Sequence, residues 1–313
     1  MSQITVLQEW SQARTALAAS LSARTVGVVV GRHRMLSGFR WRGDLIVTAA
    51  EPLGGCEQLT VVAEGGEYRS AVIASDPGTD VALLRLEYGA SGALGGTEPS
   101  ALQAGAGVIF AGRARRGPLV SFGSVRLAGP AWSSRKGSTI DQRLEFQGDL
   151  DARFEGALVA DFGGQVRAML VAGPRGALLG IPTPTIERVV ASVEKYGYLP
   201  RPYLGLRLQP LWLDASTCQR WGRHARSMPV VAGVEAGSPA EAAGIAPGDL
   251  LESIDGVAVT DIEQILNQLQ RTALGQMLSL SLRRGGLPRV VGVEVADWRA
   301  RAGQPLQSHA PSP

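Results

Sequence analysis

The feature that most constrains the fold of this chain is a series of short apolar runs between residues 26 and 181, separated by Gly, Pro and Asp. Most runs are about four to eight residues long, which is typical of strands in an all-β barrel or sandwich. The runs lie at 26–30, 45–49, 59–62, 68–73, 81–86, 108–111, 120–127, 143–146, 157–159, 166–171 and 177–181. We therefore expect a mostly β fold.

Two predicted helices flank this β region. Residues 4–22 mix one acid and one arginine with alanines and leucines, which favours an amphipathic helix over the uninterrupted apolar centre of a signal peptide. Residues 183–197 repeat Ile and Val at helical spacing, and Gly197 stands where a helix ends. The prolines that follow at 200 and 202 favour an extended connector, so we place a domain boundary there.

Beyond the connector, the turn signals are those of an α+β domain. Ser238 can cap a short helix, and Asp255-Gly256 fits a tight hairpin turn. Thr260 to Glu263 fits a capping box for a helix that runs to Arg271, and alternating Leu and Val from 278 to 295 predict a second hairpin. The predicted divisions are a helical extension at 1–24, a β domain at 25–198, an α+β domain at 199–298 and a disordered tail at 299–313.

Composition excludes several classes of function. The net charge is +3, the chain has two lysines, and its basic residues form no block, so we expect no nucleic-acid partner. The two cysteines and three histidines are scattered, which predicts two buried thiols, no disulfide framework, no metal site and no cofactor. No apolar run approaches the roughly 20 residues that span a bilayer. Without a signal-peptide pattern, the expected location is the cytoplasm.

Several motifs resemble those of the HtrA (DegP/DegS) family of trypsin-like serine proteases, which are bacterial proteins with a C-terminal PDZ domain. Residues 45–53 resemble the strand and loop of the family's histidine, and residues 75–84 resemble its acidic motif. Residues 149–159 resemble the nucleophile loop, and residues 177–182 the specificity-pocket strand. The pattern at 237–249 resembles a PDZ domain. The resemblance implies a chymotrypsin-like double β-barrel followed by an α+β PDZ domain.

The same resemblance implies a degenerate catalytic triad. Glu51 stands at the histidine position, Asp80 at the aspartate position, and Phe154 at the serine position. The backbone positions of the oxyanion hole are Ala152 and Phe154, and Glu155 replaces a glycine beside them. Phenylalanine has no lone pair for nucleophilic attack, and a carboxylate is a weaker base than imidazole near neutral pH. We therefore expect a pseudoprotease, with an active endopeptidase that uses a misread or non-standard site as the alternative.

The PDZ-like region keeps a predicted peptide groove. Tyr203-Leu204-Gly205-Leu206 resembles the loop whose backbone N–H groups hold a peptide carboxylate. The helix from Ile262 to Arg271 supplies the other wall, which suggests a preference for an apolar C-terminal residue. For two of its residues a role in the core remains an equal alternative. The predicted groove residues are Tyr203, Leu204, Gly205, Leu206, Ile262, Ile265, Leu266 and Leu269, of which Leu266 and Leu269 have that alternative.

The expected partners follow from this groove. They are C-terminal or unfolded polypeptide segments, bound by a scaffold with a chaperone-like or regulatory role in protein quality control. The resemblance also implies a homotrimer or assembly with an active paralogue, and it makes the periplasm the alternative to the cytoplasm.

Overall fold

The computed structural model describes residues 3–32, 34–86, 101–134, 138–222 and 226–298. The chain divides into two compact units between Leu199 and Pro200, one residue from the predicted boundary. All three histidines and the predicted tail at 299–313 lie outside the described residues. In the part of the chain that is described, no helix is long and apolar enough to cross a bilayer.

The first unit begins with helix α1 (Gln3–Ser22), which continues into a closed barrel with the strand order β1-β2-β3-β6-β5-β4. The strands of this barrel are β1 (Thr25–Val30), β2 (Arg34–Arg40), β3 (Leu45–Ala49), β4 (Gln58–Ala63), β5 (Gly66–Asp76) and β6 (Val81–Leu86). All neighbouring pairs in it are antiparallel.

A second closed barrel has the order β11-β14-β13-β12-β7-β8, and the pair β9-β10 forms a separate two-stranded sheet. The strands are β7 (Gly107–Ala114), β8 (Gly117–Gly129), β9 (Trp132–Ser133), β10 (Thr139–Ile140), β11 (Arg143–Gly148), β12 (Leu158–Asp161), β13 (Val166–Ala172) and β14 (Leu178–Pro182). The unit closes with helix α2 (Thr183–Tyr196), which ends at Gly197 in the left-handed conformation.

Both faces of several strands are buried, which explains why their sequences read as continuous apolar runs. On β3, Ile46 packs inside the first barrel while Val47 faces the opposite way, into a larger cluster. On β7, Phe110 packs inside the second barrel while Ile109 joins the same larger cluster. That cluster contains residues from both barrels and from α2, so it fixes the barrels of this unit against each other.

The second unit contains a sheet of order β16-β17-β18-β20-β21, with β19 paired to β18, and a short pair β15-β22. Its elements are β15 (Pro202–Tyr203), β16 (Leu206–Trp212), α3 (Ala215–Arg220), β17 (Ser227–Val234), α4 (Pro239–Ala242), β18 (Leu250–Ile254), β19 (Val257–Ala258), α5 (Ile262–Arg271), β20 (Met277–Arg284), β21 (Leu287–Glu294) and β22 (Ala296–Asp297). The mostly β fold with two barrels and an α+β domain is confirmed.

Three local predictions have definite outcomes. The turn at Asp255-Gly256 is confirmed, and the hairpin predicted within residues 278–295 turns at Gly285-Gly286, with positive φ at all four residues. The capping box is displaced by one residue, because Asp261 accepts from the N–H of Gln264 and is the N-cap of α5. The prediction of two buried thiols is wrong for Cys56, which is exposed, and right for Cys218.

Candidate functional site

The first element of the candidate site is the junction of β3 and β6. Ala49 pairs with Val81, which places the residues just beyond the strand ends, Glu51 and Asp80, side by side. The backbone N–H of Glu51 donates to Oδ1 of Asp80 at 2.7 Å, and the N–H of Ala50 donates to the Asp80 carbonyl at 3.2 Å. Asp80 has a φ of 58°, a conformation that Asp tolerates better than most residues. The side chain of Glu51 is exposed. Glu51 therefore contacts Asp80 through its backbone N–H.

The pKa of Asp80 is raised to about 6. Burial is the largest cause, because it penalises the charged form, and the negative charges of Glu155 and Glu51 add to it. The hydrogen bonds from the backbone of Glu51 and Ala50 oppose the rise. The site thus gathers three carboxyl groups, and one of them is half protonated just below neutral pH.

The loop opposite Asp80 is a 3-10 helical turn, Ala152–Phe154, capped by Asp151 through the N–H of Arg153. The ring of Phe154 is 6% exposed and packs in the core of the second barrel, in the cluster that contains Phe110 and Phe146. The loop side chain whose charge acts on Asp80 is instead that of Glu155.

Glu155 is held in place by an ion pair at the barrel surface. Its side chain is 13% exposed and lies 3.5 Å from a guanidinium nitrogen of Arg34, which is 53% exposed. The sequence prediction placed Phe154 at the nucleophile position and did not give Glu155 this orientation. The apolar character of phenylalanine is the feature of the sequence that indicates this arrangement. An aromatic ring in a polar loop is more stable when it is buried in a core.

The two predicted oxyanion-hole positions lie in this turn. The N–H of Phe154 donates to the carbonyl of Asp151 at 3.0 Å, and the carbonyl of Ala152 accepts from the N–H of Glu155 at 3.4 Å. An oxyanion hole needs N–H groups aimed at the reacting oxygen. The N–H of Phe154 is already used inside the turn.

Hydrogen bonds to strand β2 fix the loop. Ser37 donates its N–H to the carbonyl of Glu155 at 2.8 Å and its hydroxyl to the carbonyl of Arg153 at 2.6 Å. The N–H of Arg113 donates to the same hydroxyl at 3.1 Å. Ser37 is fully buried and its hydroxyl is engaged as donor and acceptor. It therefore stabilises the loop and is not placed as a nucleophile.

Gly156 permits this close approach of the loop to β2. Its φ is 82°, and a Cβ at this position would lie 2.2 Å from the carbonyl oxygen of Ser37 and 2.7 Å from Oγ1 of Thr48. Thr48 in turn donates to the carbonyl of Ser37 at 2.7 Å. No residue with a side chain fits at 156 without displacing the loop.

The second unit brings the predicted carboxylate loop together with the open edge of β16. Gly205 has a φ of 84°, and the carbonyls of Leu204 and Gly205 accept from the N–H groups of Ala240 and Glu235, both at 2.9 Å. Among the residues described by the structure, the N–H groups of Leu204 and Gly205 donate to no protein acceptor. The side chain of Leu204 is buried in the core, so this residue can offer a ligand its backbone. Tyr203 donates its hydroxyl to Glu235.

Helix α5 separates its apolar residues between the core and the surface. Ile265 and Leu269 are buried in the core of the second unit. Leu266 is 41% exposed and Ile262 is half-buried. Leu269 therefore belongs to the core of the second unit. Leu266 and Ile262 remain accessible to a ligand beside β16.

Comparison with known proteins agrees with the two units. The model of the trypsin-like peptidase domain matches residues 36–169, and the model of the PDZ domain matches residues 230–284. HhoB of Synechocystis sp., named as a serine protease, is 25% identical over 84% of this chain and 66% of its own length. A protein of Brucella suis, named as a DegP-like periplasmic serine endoprotease, is 24% identical over 80% of this chain and 50% of its own length. The chain thus spans between half and two thirds of these relatives.

Solved structures show the same fold. The HtrA-type protease AlgW with a decapeptide superposes with a TM-score of 0.70 at 22% identity, over 90% of this chain and 98% of that one. The serine endoprotease from Yersinia pestis superposes with a TM-score of 0.69 at 19% identity, over 90% and 97% of the two chains. The chain belongs to the HtrA-like family, with a trypsin-like peptidase domain followed by a PDZ domain.

Proposed function

We propose that this chain is an HtrA-like pseudoprotease that binds polypeptides through its PDZ domain and does not cleave them. The observation that carries the proposal is the set of three carboxyl groups, Glu51 and Asp80 at the strand ends and Glu155 in the loop, together with a Phe154 ring that is turned into the core. Acyl transfer by this fold needs a nucleophile and a base that accepts its proton. Carboxylates gathered around Asp80 supply neither an activated hydroxyl nor an imidazole.

The binding half of the proposal is supported by the loop at 203–206 and the edge of β16. Two N–H groups without protein acceptors can hold a carboxylate, and a free strand edge can pair with the residues that precede it. Leu266 and Ile262 on α5 offer apolar contacts for the terminal side chain. The ligand class is therefore a peptide with a free carboxyl end and an apolar last residue.

One experiment tests both halves. The full chain is incubated with denatured casein and with a fluorophosphonate probe, and its binding to paired peptides with free and amidated carboxyl ends is measured. We expect no cleavage, no labelled serine, and affinity for the free carboxyl end alone. Equal affinity for both ends would refute carboxylate capture.

The second candidate function is an active serine endopeptidase with a non-standard site. The observation in its favour is that relatives such as HhoB are named as serine proteases. Fluorophosphonate labelling together with cleavage that is lost after substitution of the labelled serine would establish it and refute the pseudoprotease.

We also propose that the chain acts in protein quality control in the periplasm, because relatives from Brucella suis and Haemophilus influenzae are named as periplasmic. The expectation of a cytoplasmic location has no support from the relatives. Fractionation of cells that produce the native protein tests this location.

Assembly with other copies or with an active paralogue is a further part of the proposal. An exposed aromatic group on the first unit supports it: Arg14 stacks 4.3 Å from the ring centre of Trp10 and 3.6 Å from that of Phe122, beside the exposed Phe162. Native mass spectrometry of the purified chain, alone and mixed with the paralogue, measures the assembly. A monomer under both conditions would exclude it.

A further inference from the structure

Strand β16, the open edge of the second unit, contains a proline at a position that can be oriented from the strand register. Pro210 lies opposite Pro229 of β17. Neither residue has an N–H, so this pair cannot be a hydrogen-bonded pair of the antiparallel ladder. In a pair that is not hydrogen-bonded, the backbone N–H and carbonyl of each residue point away from the partner strand. The backbone nitrogen and carbonyl of Pro210 therefore face the open edge of the sheet.

The same alternation orients the residues before Pro210. Leu208 lies opposite Val231, two positions back in the same register, so its N–H and carbonyl also face the open edge. A register shift between Arg207 and Leu208 skips one residue of β17 and leaves the alternation along β16 intact. Leu206 consequently faces the open edge as well, while Gln209 faces β17.

A peptide bound as an added strand would meet these groups in a fixed order. Its carboxylate lies at the N–H groups of Leu204 and Gly205, so the peptide runs antiparallel to β16. The last residue then lies beside Leu206, the third-last beside Leu208, and the fifth-last beside Pro210. Leu208 offers both a donor and an acceptor. Pro210 offers an acceptor alone.

The missing donor removes the benefit of pairing at the fifth-last residue. One hydrogen bond to the Pro210 carbonyl is possible there, but the peptide carbonyl opposite loses water and gains no donor. The loss from an unpaired carbonyl is about as large as the gain from one hydrogen bond. Prolines in sheets are found at edges for the same reason.

From this register we propose that Pro210 confines main-chain recognition in the groove to the last four residues of a bound peptide. The proposal rests on the proposed function of the groove and specifies its ligand class. The ligands are short apolar carboxyl ends, with no requirement for an extended segment before them.

A peptide length series tests the proposal. The probe is an array of synthetic peptides with free carboxyl ends, in which the last three residues are drawn from Ala, Val, Leu, Ile and Phe and the preceding residues are Gly and Ser. The tightest sequence is then made with three, four, five and seven residues, and calorimetry measures its affinity for the full chain. Gly and Ser in the added residues limit any gain to backbone pairing.

The comparison uses Pro210→Val and a matched control, Gln209→Val. Pro210→Val restores an outward donor, and Gln209→Val adds a branched residue whose backbone faces β17. For the native chain and the control we expect less than a twofold change in affinity from four to seven residues. Compared with the native chain, Pro210→Val should bind peptides of five or seven residues about 2- to 10-fold more tightly. Its affinity for the four-residue peptide should be unchanged.

A native affinity that rises fivefold or more between four and seven residues, or a Pro210→Val chain without a gain, would overturn the role of Pro210. A failure of the groove itself has a different result. In that case no peptide in the array binds more tightly with a free carboxyl end than with an amidated one, and the proposed function and this inference both fall.

Discussion

At the scale of single residues, the site in the first unit is defined by Asp80 and the two acids that act on it. Burial and the charges of Glu155 and Glu51 hold the pKa of Asp80 near 6, against backbone hydrogen bonds that favour the ionised form. A carboxyl in this position carries an energetic cost at neutral pH. Because of this cost, the pKa of Asp80 affects the free energy of unfolding, which can be measured without an activity assay.

The sign of this cost gives the first prediction. The pKa of Asp80 is higher in the folded chain than in the unfolded chain, so the folded state binds more protons between about pH 4 and 6. The stabilisation by protonated Asp80 is present below about pH 4 and is lost as the pH rises through 6. Asp80→Asn keeps the oxygen that accepts from Glu51 and removes the charge. We expect it to stabilise the first unit by about 1 to 2 kcal/mol at pH 8 and by much less at pH 4.

Urea unfolding at the two pH values measures the effect. Glu64→Gln, which neutralises an exposed acid on the same barrel, is the matched control. An equal effect of the two substitutions, or a larger effect of Asp80→Asn at pH 4, would contradict the assigned pKa.

The second prediction concerns Phe154. Phe154→Ser creates no protease, because a hydroxyl at this position points into the core of the second barrel and Glu51 stands at the position that corresponds to the family's histidine. The substitution removes a buried ring and is expected to cost about 3 to 5 kcal/mol of stability. Glu155→Ser is the control, because it removes a charge near Asp80 and leaves the ring in place. Casein cleavage and urea unfolding of the two variants provide the measurements.

Cleavage by Phe154→Ser, or the same loss of stability in both variants, would show that the ring is not in the core. The sequence predicts that Glu51 lies beside Asp80, and the structure has the two residues just beyond paired ends of β3 and β6. The sequence did not predict the orientation within the loop. The direction of a side chain in a 3-10 turn depends on which neighbour offers a core, and no local pattern encodes that.

At the scale of elements, strands with two buried faces were the easiest to predict and edge elements the hardest. The apolar runs at β3, β6 and β7 are continuous because both barrels and the larger cluster cover them. Strand β2 is absent from the predicted apolar runs, because its sequence from Arg34 to Arg40 includes a serine, a glycine and two arginines. The buried Ser37 makes its hydrogen bonds with the loop at 153–155, a contact that is distant in sequence.

The N-terminus of α5 gives a prediction at this scale. Asp261 accepts from the N–H of Gln264 at 2.9 Å, so Asp261→Ala leaves that N–H without its cap and should cost about 1 kcal/mol. Thr260→Ala is the matched change one residue earlier, where the sequence had placed the cap. Its N–H still donates to the side chain of Gln264, so we expect a few tenths of a kcal/mol. Urea unfolding ranks the two variants, and a larger loss for Thr260→Ala would restore the earlier assignment.

At the scale of the whole molecule, each unit has cores built from its own residues. The three clusters of the first unit use residues up to Leu199, and the cluster of the second begins at Leu204. The family and the architecture could be predicted from the sequence because glycine and proline patterns mark the turns of both units. The amino-acid sequence of the ligand could not, because the proposed groove would recognise a peptide through backbone groups, and side chains leave little record of that chemistry.

Separate cores predict two thermal transitions in calorimetry. At pH 8, Asp80→Asn should raise the midpoint temperature of the first unit's transition and leave that of the second unit in place. Asp261→Ala should lower the midpoint of the second unit and leave that of the first unchanged. A single transition that moves with both substitutions would show that the units unfold together.

The contact between Ser37 and the loop at 153–155 has a consequence for how the first unit tolerates change. Two hydrogen bonds from one residue tie a strand of the first barrel to a loop of the second, and Gly156 leaves no space between them. The loop therefore links the two barrels of the first unit through hydrogen bonds and close packing. These contacts need no chemistry at the site, so they would hold the two barrels of the first unit together in an inactive chain as well as in an active one.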